Sequence, residues 1–271
     1  MKIDLFGGTG FIGSNFKQLY GEDVFVHPRE DNVPTTDNVL YMISTTHNYH
    51  VFDDIHKDVD TNLTKLLSVL QHCKDKSLTF NFVSSWFVYG DVELPASEDA
   101  SCNPKGFYSI TKKCAEDLII SYCNTFKINY RILRLCNVYG NNDVGVSRQK
   151  NALQQLISDI KKGISINLYY DGNFIRDYMH VSDICKAIHL CITTSDLNQI
   201  INIGSGIPQN FRELIDFTIK ETGNNVVVNN VDAVKFHKIV QVKNMYLEVS
   251  KLKSLGFKQE IDIYSGIRSL L

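Results

Sequence analysis

Several features are missing from this chain, and each absence removes a class of function. Charge is nearly balanced, with 28 Lys and Arg against 30 Asp and Glu and a net charge of −2. No basic field is therefore present to hold nucleic acid or an anionic membrane surface. No apolar run approaches the roughly 20 residues that a membrane-spanning helix needs. The opening "MKIDLFGG" has an apolar stretch too short for a signal peptide and passes straight into a strand pattern. The cysteines number 7, an odd count without CxxC spacing, and read as the reduced thiols of a cytosolic protein rather than a disulfide framework. His47 and His50 stand three apart in "HNYH" without a third ligand, so no metal site is expected. Cys185 and Cys191 read as small core residues, and His180 as a residue that packs or hydrogen-bonds locally. Internal repeats and low-complexity linkers are also lacking.

Apolar residues make up 44% and charged ones 21%, an ordinary globular mix in a chain of 271 residues. Short apolar segments alternate with helical ones. "KIDLF", "DVFVH", "NVLYMIS", "LTFNFVSS" and "YRILRL" read as strands. "FIGSNFKQLYG" reads as a helix closed by Gly21, and "VDTNLTKLLSVLQHC" as a helix with Leu63, Leu66, Leu67 and Leu70 on one face. "YSITKKCAEDLIISYC" places Ala115, Leu118, Ile119 and Tyr122 at helical spacing. Strands alternating with helices predict an α/β fold with a parallel, doubly wound sheet. From about Asn141 the elements become less regular. The expected division is a dinucleotide-binding domain over residues 1–140, with returning segments near 175–204. A smaller lobe, mainly 141–271, would lie over the carboxyl ends of the strands.

Two motifs carry chemistry. "GGTGFIG" follows the first strand and opens a helix, setting Gly7, Gly10 and Gly13 in GxxGxxG spacing around Phe11 and Ile12. Glycines there let the backbone turn tightly against a pyrophosphate, and the helix N-terminus supplies free N–H donors. "YSITK" places Tyr108 and Lys112 at i and i+4, on one helix face. An ammonium beside a phenol is expected to lower the tyrosine from its usual pKa of about 10, so that it can exchange a proton with a sugar hydroxyl.

Together these residues resemble the extended short-chain dehydrogenase/reductases, and most closely their nucleotide-sugar epimerase/dehydratase branch. The resemblance covers nearly the whole chain and implies a Rossmann-type fold. "SSWFVYG" is similar to the branch's strand-end motif, which implies that Ser85 is catalytic with Tyr108 and Lys112. "RLCNVYG" implies that Asn137 lies near a sugar diphosphate, and "DGNFIRDYMHVSDI" implies the same for Arg176. Ser44, Tyr108 and Lys112 would also contact the cofactor. "YLEVSKLKSLGF" is similar to the branch's closing helix and turn. A homodimer, a cytoplasmic location and a nucleotide-sugar substrate follow from the same resemblance.

The departures are informative. Trp86 and Phe87 stand where the branch's 4,6-dehydratases carry an Asp-Glu pair, so elimination chemistry is not expected. The two rings either wall the sugar pocket or pack in the core. About twenty residues after the glycine turn, where an NAD site carries an acid, the chain has His27, Pro28 and Arg29. Arg29 favours NADP over NAD, its other reading being a loop residue paired with Glu30 and Asp31. "PREDNVPTTD" leaves no room for the usual further helix and strand, and "STT", Ser44 to Thr46, replaces small apolar residues. A late diphosphate-gripping arginine has only Lys243 as a counterpart. These features favour a 4-keto (4-keto-6-deoxy) nucleotide-sugar reductase. A 4-epimerase of the UDP-galactose type is the alternative, and a non-catalytic cofactor-binding protein ranks last.

Overall fold

A computed structural model describes all 271 residues. Strand β1 (Ile3–Phe6) is buried along its whole length and runs into the glycine turn and helix α1 (Phe11–Tyr20). Gly21 does not close that helix in a left-handed cap: it stays right-handed (φ −53°) and begins a short 3₁₀ turn. Strands β2 (Val24–His27) and β3 (Asn38–Tyr41) follow. The next helical stretch passes from α2 (Lys57–Val59) through a π turn (Asp60–Thr64) into α3 (Lys65–Leu70). Its buried stripe is Asn62, Leu66, Val69 and Leu70. The expected Leu67 is instead 45% exposed, because at 100° per residue it falls on the flank of that stripe.

Strand β4 (Thr79–Ser85), the long helix α4 (Phe107–Phe126) and strand β5 (Asn129–Leu135) form the centre of the molecule. Then come β6 (Asn137–Tyr139), α5 (Ala152–Lys161), β7 (Ile166–Tyr169), β8 (Ile175–Arg176), β9 (Tyr178–His180), α6 (Val181–Thr193) and β10 (Gln199–Ile203). The chain ends with β11 (Gln209–Asn210), α7 (Phe211–Thr222), β12 (Val228–Val231), α8 (Lys235–Val240), α9 (Ser250–Ser254) and α10 (Ile263–Leu270).

Six strands make one parallel sheet in the order β10-β5-β4-β3-β1-β2. One face packs Ile3, Leu5, Leu133 and Ile201 against α1 and α6 through Phe16, Ile184 and Ile188. The other packs Phe6, Tyr41, Phe80 and Phe82 against α3 and α4 through Leu66, Val69 and Ile119. Burial on both faces explains why these strands read as continuous apolar runs rather than alternating ones. A third core, with Leu156, Ile160, Leu168, Phe211 and Leu214, sits among α5, α7 and the parallel pair β7–β12.

Strand β2 is an edge strand, because residues 28–37 form neither helix nor strand. What takes their place is a buried acid in β1. Asp4 Oδ2 accepts from the backbone N–H groups of Thr35 and Thr36, both at 2.7 Å, and Asp4 Oδ1 accepts from the Thr35 hydroxyl at 2.8 Å. His27 stacks on Phe6 with centroids 4.2 Å apart, and its ring nitrogens face Asp4 Oδ1 at 2.8 Å and Asp31 Oδ2 at 2.7 Å. A polar clamp thus closes the connection where a packed helix would otherwise lie.

Candidate active site

A cleft of about 1200 Å³ opens at the carboxyl ends of the strands, with walls from both the large sheet and the later elements. It is lined by Gly7, Gly10, Phe11, Ile12, Gly13, Ser44, Ser85, Trp86, Phe87, Tyr108, Lys112, Asn137 and Arg176, every residue expected in the site except one. Arg29 is exposed on the loop after β2, outside that lining.

The glycine turn fits a dinucleotide. Gly7 has φ +97°, a conformation disfavoured for residues with a Cβ. A Cβ on Gly13 would stand 2.3 Å from Gly7 O and 2.8 Å from Gly8 Cα. Gly10 caps α1 without a side chain, and the first turn of α1 holds no acid. The N–H groups of that turn are left to an anion, and the cradle is shaped for the pyrophosphate of a nicotinamide cofactor.

Ser85 ends β4 and caps the 3₁₀ turn Trp86–Val88 by accepting from Phe87 N–H at 3.3 Å. Tyr108 and Lys112 follow one helical turn apart on α4, both buried. Their electrostatics differ from the expectation. Burial pushes the Tyr108 phenol up to about 12, against a downward pull from the Ser85 hydrogen bond, and Asp58 raises it further. Lys112 does not lower it. Burial pushes Lys112 down to about 7, with Glu116 acting the other way. Its ammonium donates to Val83 C=O at 2.6 Å and sits 4.0 Å from the Phe82 ring centroid. The physical reason is desolvation: two buried groups each favour the neutral form, and the lysine spends its charge on a backbone carbonyl and a ring face.

Behind these residues a buried network locks α4 to the sheet. Ser84 Oγ donates to Glu116 Oε1 at 2.5 Å, and Arg134 grips the same carboxylate through Nε at 3.1 Å and Nη2 at 2.7 Å. Arg134 also lies 4.7 Å from the Tyr89 ring, and Tyr89 donates to Asn202 at 2.7 Å. Ser84 therefore supports α4 through its hydroxyl, and both it and its neighbour Ser85 border the cleft.

The model of a family described as the NAD dependent epimerase/dehydratase family matches residues 33–204. The chain belongs to this family. A candidate UDP-glucose 4-epimerase of Methanocaldococcus jannaschii is 30% identical over 217 residues, 79% of this chain and 69% of that protein. A GDP-6-deoxy-D-mannose reductase of Pseudomonas aeruginosa is 26% identical over 244 residues, 87% of this chain and 79% of that one. The crystal structure of a UDP-glucose 4-epimerase from Thermotoga maritima, solved with UDP-glucose, superposes with a TM-score of 0.89 at 21% identity, covering 100% of this chain and 97% of that one.

Within this epimerase/dehydratase framework the remaining sequence-selected residues gather at the lobe side of the cleft. Trp86 and Phe87 stack at 3.9 Å, and Phe87 meets the Tyr108 ring edge-on at 5.7 Å. Trp86 is only 3% exposed, so it is at once a core residue and part of the wall. Arg176 lies 5.5 Å from the Trp86 ring and 4.8 Å from Phe174, and donates to the carbonyls of Ile175, Val242 and Lys243. Asn137 Nδ2 donates to Asp177 C=O at 2.9 Å.

Asn62 and Asp58, which carry no sequence signal, join Thr45 of the "STT" stretch in tying this side of the cleft to α4. Asn62, in the π turn, accepts from Thr45 N–H at 2.8 Å and Ser44 Oγ at 3.0 Å, and donates to Thr45 Oγ1 at 2.9 Å and Thr111 Oγ1 at 2.8 Å. Thr45 in turn donates to buried Asp58. The one visible signal was the polar "STT" at a strand end. His47 and His50 stack at 3.9 Å, and no group of three or more His, Cys, Asp or Glu residues is placed to hold a metal. Cys185 and Cys191 are buried in the core, and His180 accepts from Ser182 N–H as the cap of α6.

Proposed function

We propose that this chain is an NADPH-dependent 4-keto (4-keto-6-deoxy) nucleotide-sugar reductase. The observation that carries the reading is the adenosine side of the cleft. Edge strand β2 ends at His27, with Pro28 after it, where an acid for the ribose would stand; Arg29 is exposed on the surface, and no further strand lies beyond. An arginine there suits the extra phosphate of NADP. Few adenosine contacts suit a cofactor that leaves after each turnover.

The cradle at Gly7, Gly10 and Gly13 would hold the pyrophosphate, with Ser44, Tyr108 and Lys112 toward the nicotinamide end. The reduced nicotinamide supplies the hydride when bound. Ser85 hydrogen-bonds the sugar oxygen at C4. Tyr108 gives that oxygen its proton, and its pKa, raised by burial, keeps the phenol protonated at neutral pH. Lys112 takes up charge as the phenolate forms, since an adjacent anion favours its ammonium. Trp86 and Phe87 offer flat apolar surface to the sugar, and Asn137 and Arg176 lie where a diphosphate would reach. Residues 1–140 with returning segments near 175–204 would carry the cofactor, and 141–271 mainly the nucleotide sugar. No helix is long and apolar enough to cross a membrane. A cytoplasmic homodimer completes the proposal; exposed Val59, Leu67 and Ile110 on α2, α3 and α4 offer the apolar surface for pairing.

A 4-epimerase is the second reading, favoured by the names of the M. jannaschii and T. maritima proteins. The deciding test is NADPH oxidation with 4-keto-6-deoxy nucleotide sugars against interconversion of 4-epimers without added cofactor. Net oxidation is expected. In the same assay Tyr108→Phe should lower kcat by ~10²–10⁴-fold while cofactor affinity stays within a few-fold. A variant keeping more than about a tenth of kcat would remove the acid role from Tyr108.

A further inference from the structure

Reduction of a ketone consumes one proton per turnover, and an acid buried as deeply as Tyr108, 8% exposed, has to be recharged. A 4-epimerase returns the proton that it borrowed, so only a net reductase has this need. Near Tyr108 lies a carboxyl that the chemistry above leaves unused. Asp58, 1% exposed, sits on α2, which packs directly against α4. Its hydrogen-bond partner is the Thr45 hydroxyl. That hydroxyl is oriented by Asn62, which donates to Thr45 Oγ1 at 2.9 Å and so directs the threonine proton toward Asp58. Thr45 and Tyr108 line the same cleft.

We propose that Thr45 and Asp58 form a proton path that restores the Tyr108 phenol after each reduction. The inference rests on the reductase reading. After Tyr108 has given its proton to the C4 alkoxide, the Thr45 hydroxyl turns away from Asp58, where its proton rests in the structure, and accepts from Asp58 in its protonated form while Asn62 Nδ2 still holds the threonine oxygen. Thr45 passes its own proton, through water in the cleft, to the phenolate. Asp58 is left as carboxylate and takes a proton from solvent past His50. One proton enters from solvent, one ends on the sugar oxygen, and no other bond changes. The charged groups that face Asp58 are His50, from the turn Asn48–Phe52, and Lys57 on its own helix; Tyr108 faces it from α4. Burial raises the Asp58 pKa, opposed by the Thr45 hydrogen bond, which keeps a proton available there at higher pH than on a solvated carboxyl. Ionised Asp58 in turn disfavours the Tyr108 phenolate and drives it to be refilled.

The test is steady-state NADPH oxidation by Asp58→Asn, Thr45→Val and Thr45→Ser across pH, with and without added formate or imidazole. Asp58→Asn and Thr45→Val are expected to lower kcat by roughly 10²-fold, the low end for a proton-transfer group, with the loss largest where Asp58 still holds its proton and shrinking as pH rises beyond that range, and KM for the sugar held. Thr45→Ser and the added acids should restore turnover. A wild type that reduces the keto sugar, with Asp58→Asn equal to it at every pH or slowed equally at all pH without rescue, would overturn the proton path and leave the reductase standing. A wild type that only interconverts 4-epimers would overturn the reductase and the proton path with it.

Discussion

Lys112 shows how a residue proposed for catalysis can work against the fold that holds it. It is 2% exposed, between Val83 C=O and the Phe82 ring, and burial brings its pKa to about 7. In the unfolded chain a lysine titrates near 10.4. Below pH 7 both states carry the proton, and the folded state bears the full cost of burying it. Between about 7 and 10.4 the unfolded chain binds more protons than the folded one, so the cost shrinks as pH rises. Lys112→Met keeps the length of the side chain and removes the charge. The variant should be inactive yet more stable than wild type. Its advantage in Tm should be largest at pH 7 and below and should fade toward pH 10. Thermal unfolding across that range checks it, and a variant less stable than wild type at pH 6 would mean that the carbonyl bond and ring contact outweigh desolvation.

At the scale of elements, the connection between β2 and β3 carries a stabilising polar clamp and, in the proposed function, the cofactor-selecting arginine. Asp4 accepts from Thr35 N, Thr35 Oγ1 and Thr36 N and faces His27 Nε2. Burial raises its pKa, but the bonds from His27, Thr36 and Thr35 outweigh burial and leave it below the usual 3.8. Its stabilisation is therefore present above the unfolded value and lost as pH falls through the folded one. An amide offers one acceptor oxygen, so Asp4→Asn should cost roughly 3–5 kcal/mol at neutral pH. Urea unfolding should show that difference closing on acidification below about 4. Arg29→Ala acts on the same loop through ligand rather than fold. It should weaken NADPH binding more than NADH binding, and equal losses in titrations of the two would show that Arg29 does not reach the 2′-phosphate. Much of this region was legible as an absence: too few residues for a helix and a strand. What replaces them was not, because Asp4 sits in an apolar strand with nothing local to mark its partners about thirty positions away. The GxxGxxG turn and the YxxxK helix were legible because their chemistry is set by local spacing. Asn62, Thr45 and Asp58 were not, since a π turn and a helix-to-helix contact join them. The lysine's charge was misread because periodicity reveals which face it shares, not how dry that face is.

Across the whole molecule, the large sheet and the later elements meet at one cleft. The cradle at Gly7–Gly13 and Ser85 follow from strands of the large sheet, and Tyr108 and Lys112 from α4 packed on it, while Asn137 and Arg176 come from β6 and β8 beyond it. Arg176 already spends its donors on the carbonyls of Ile175, Val242 and Lys243 and stacks near Trp86. The lobe is thus held by contacts that do not need ligand, and cofactor release need not unfold it. With edge strand β2 on the proposed adenosine side, binding energy for the cofactor would be concentrated at the pyrophosphate. The protein should therefore purify with well under one nicotinamide cofactor per chain and lose the remainder on dialysis. Added NADPH at about 100 times its Kd should then stabilise by about 2.7 kcal/mol, and a nucleoside diphosphate added with it should raise Tm further, because the second ligand fills the part of the cleft walled by the other lobe. Extraction of stoichiometric NAD from dialysed protein, with no response of Tm to added NADPH, would contradict the exchange expected of a reductase and promote the epimerase reading.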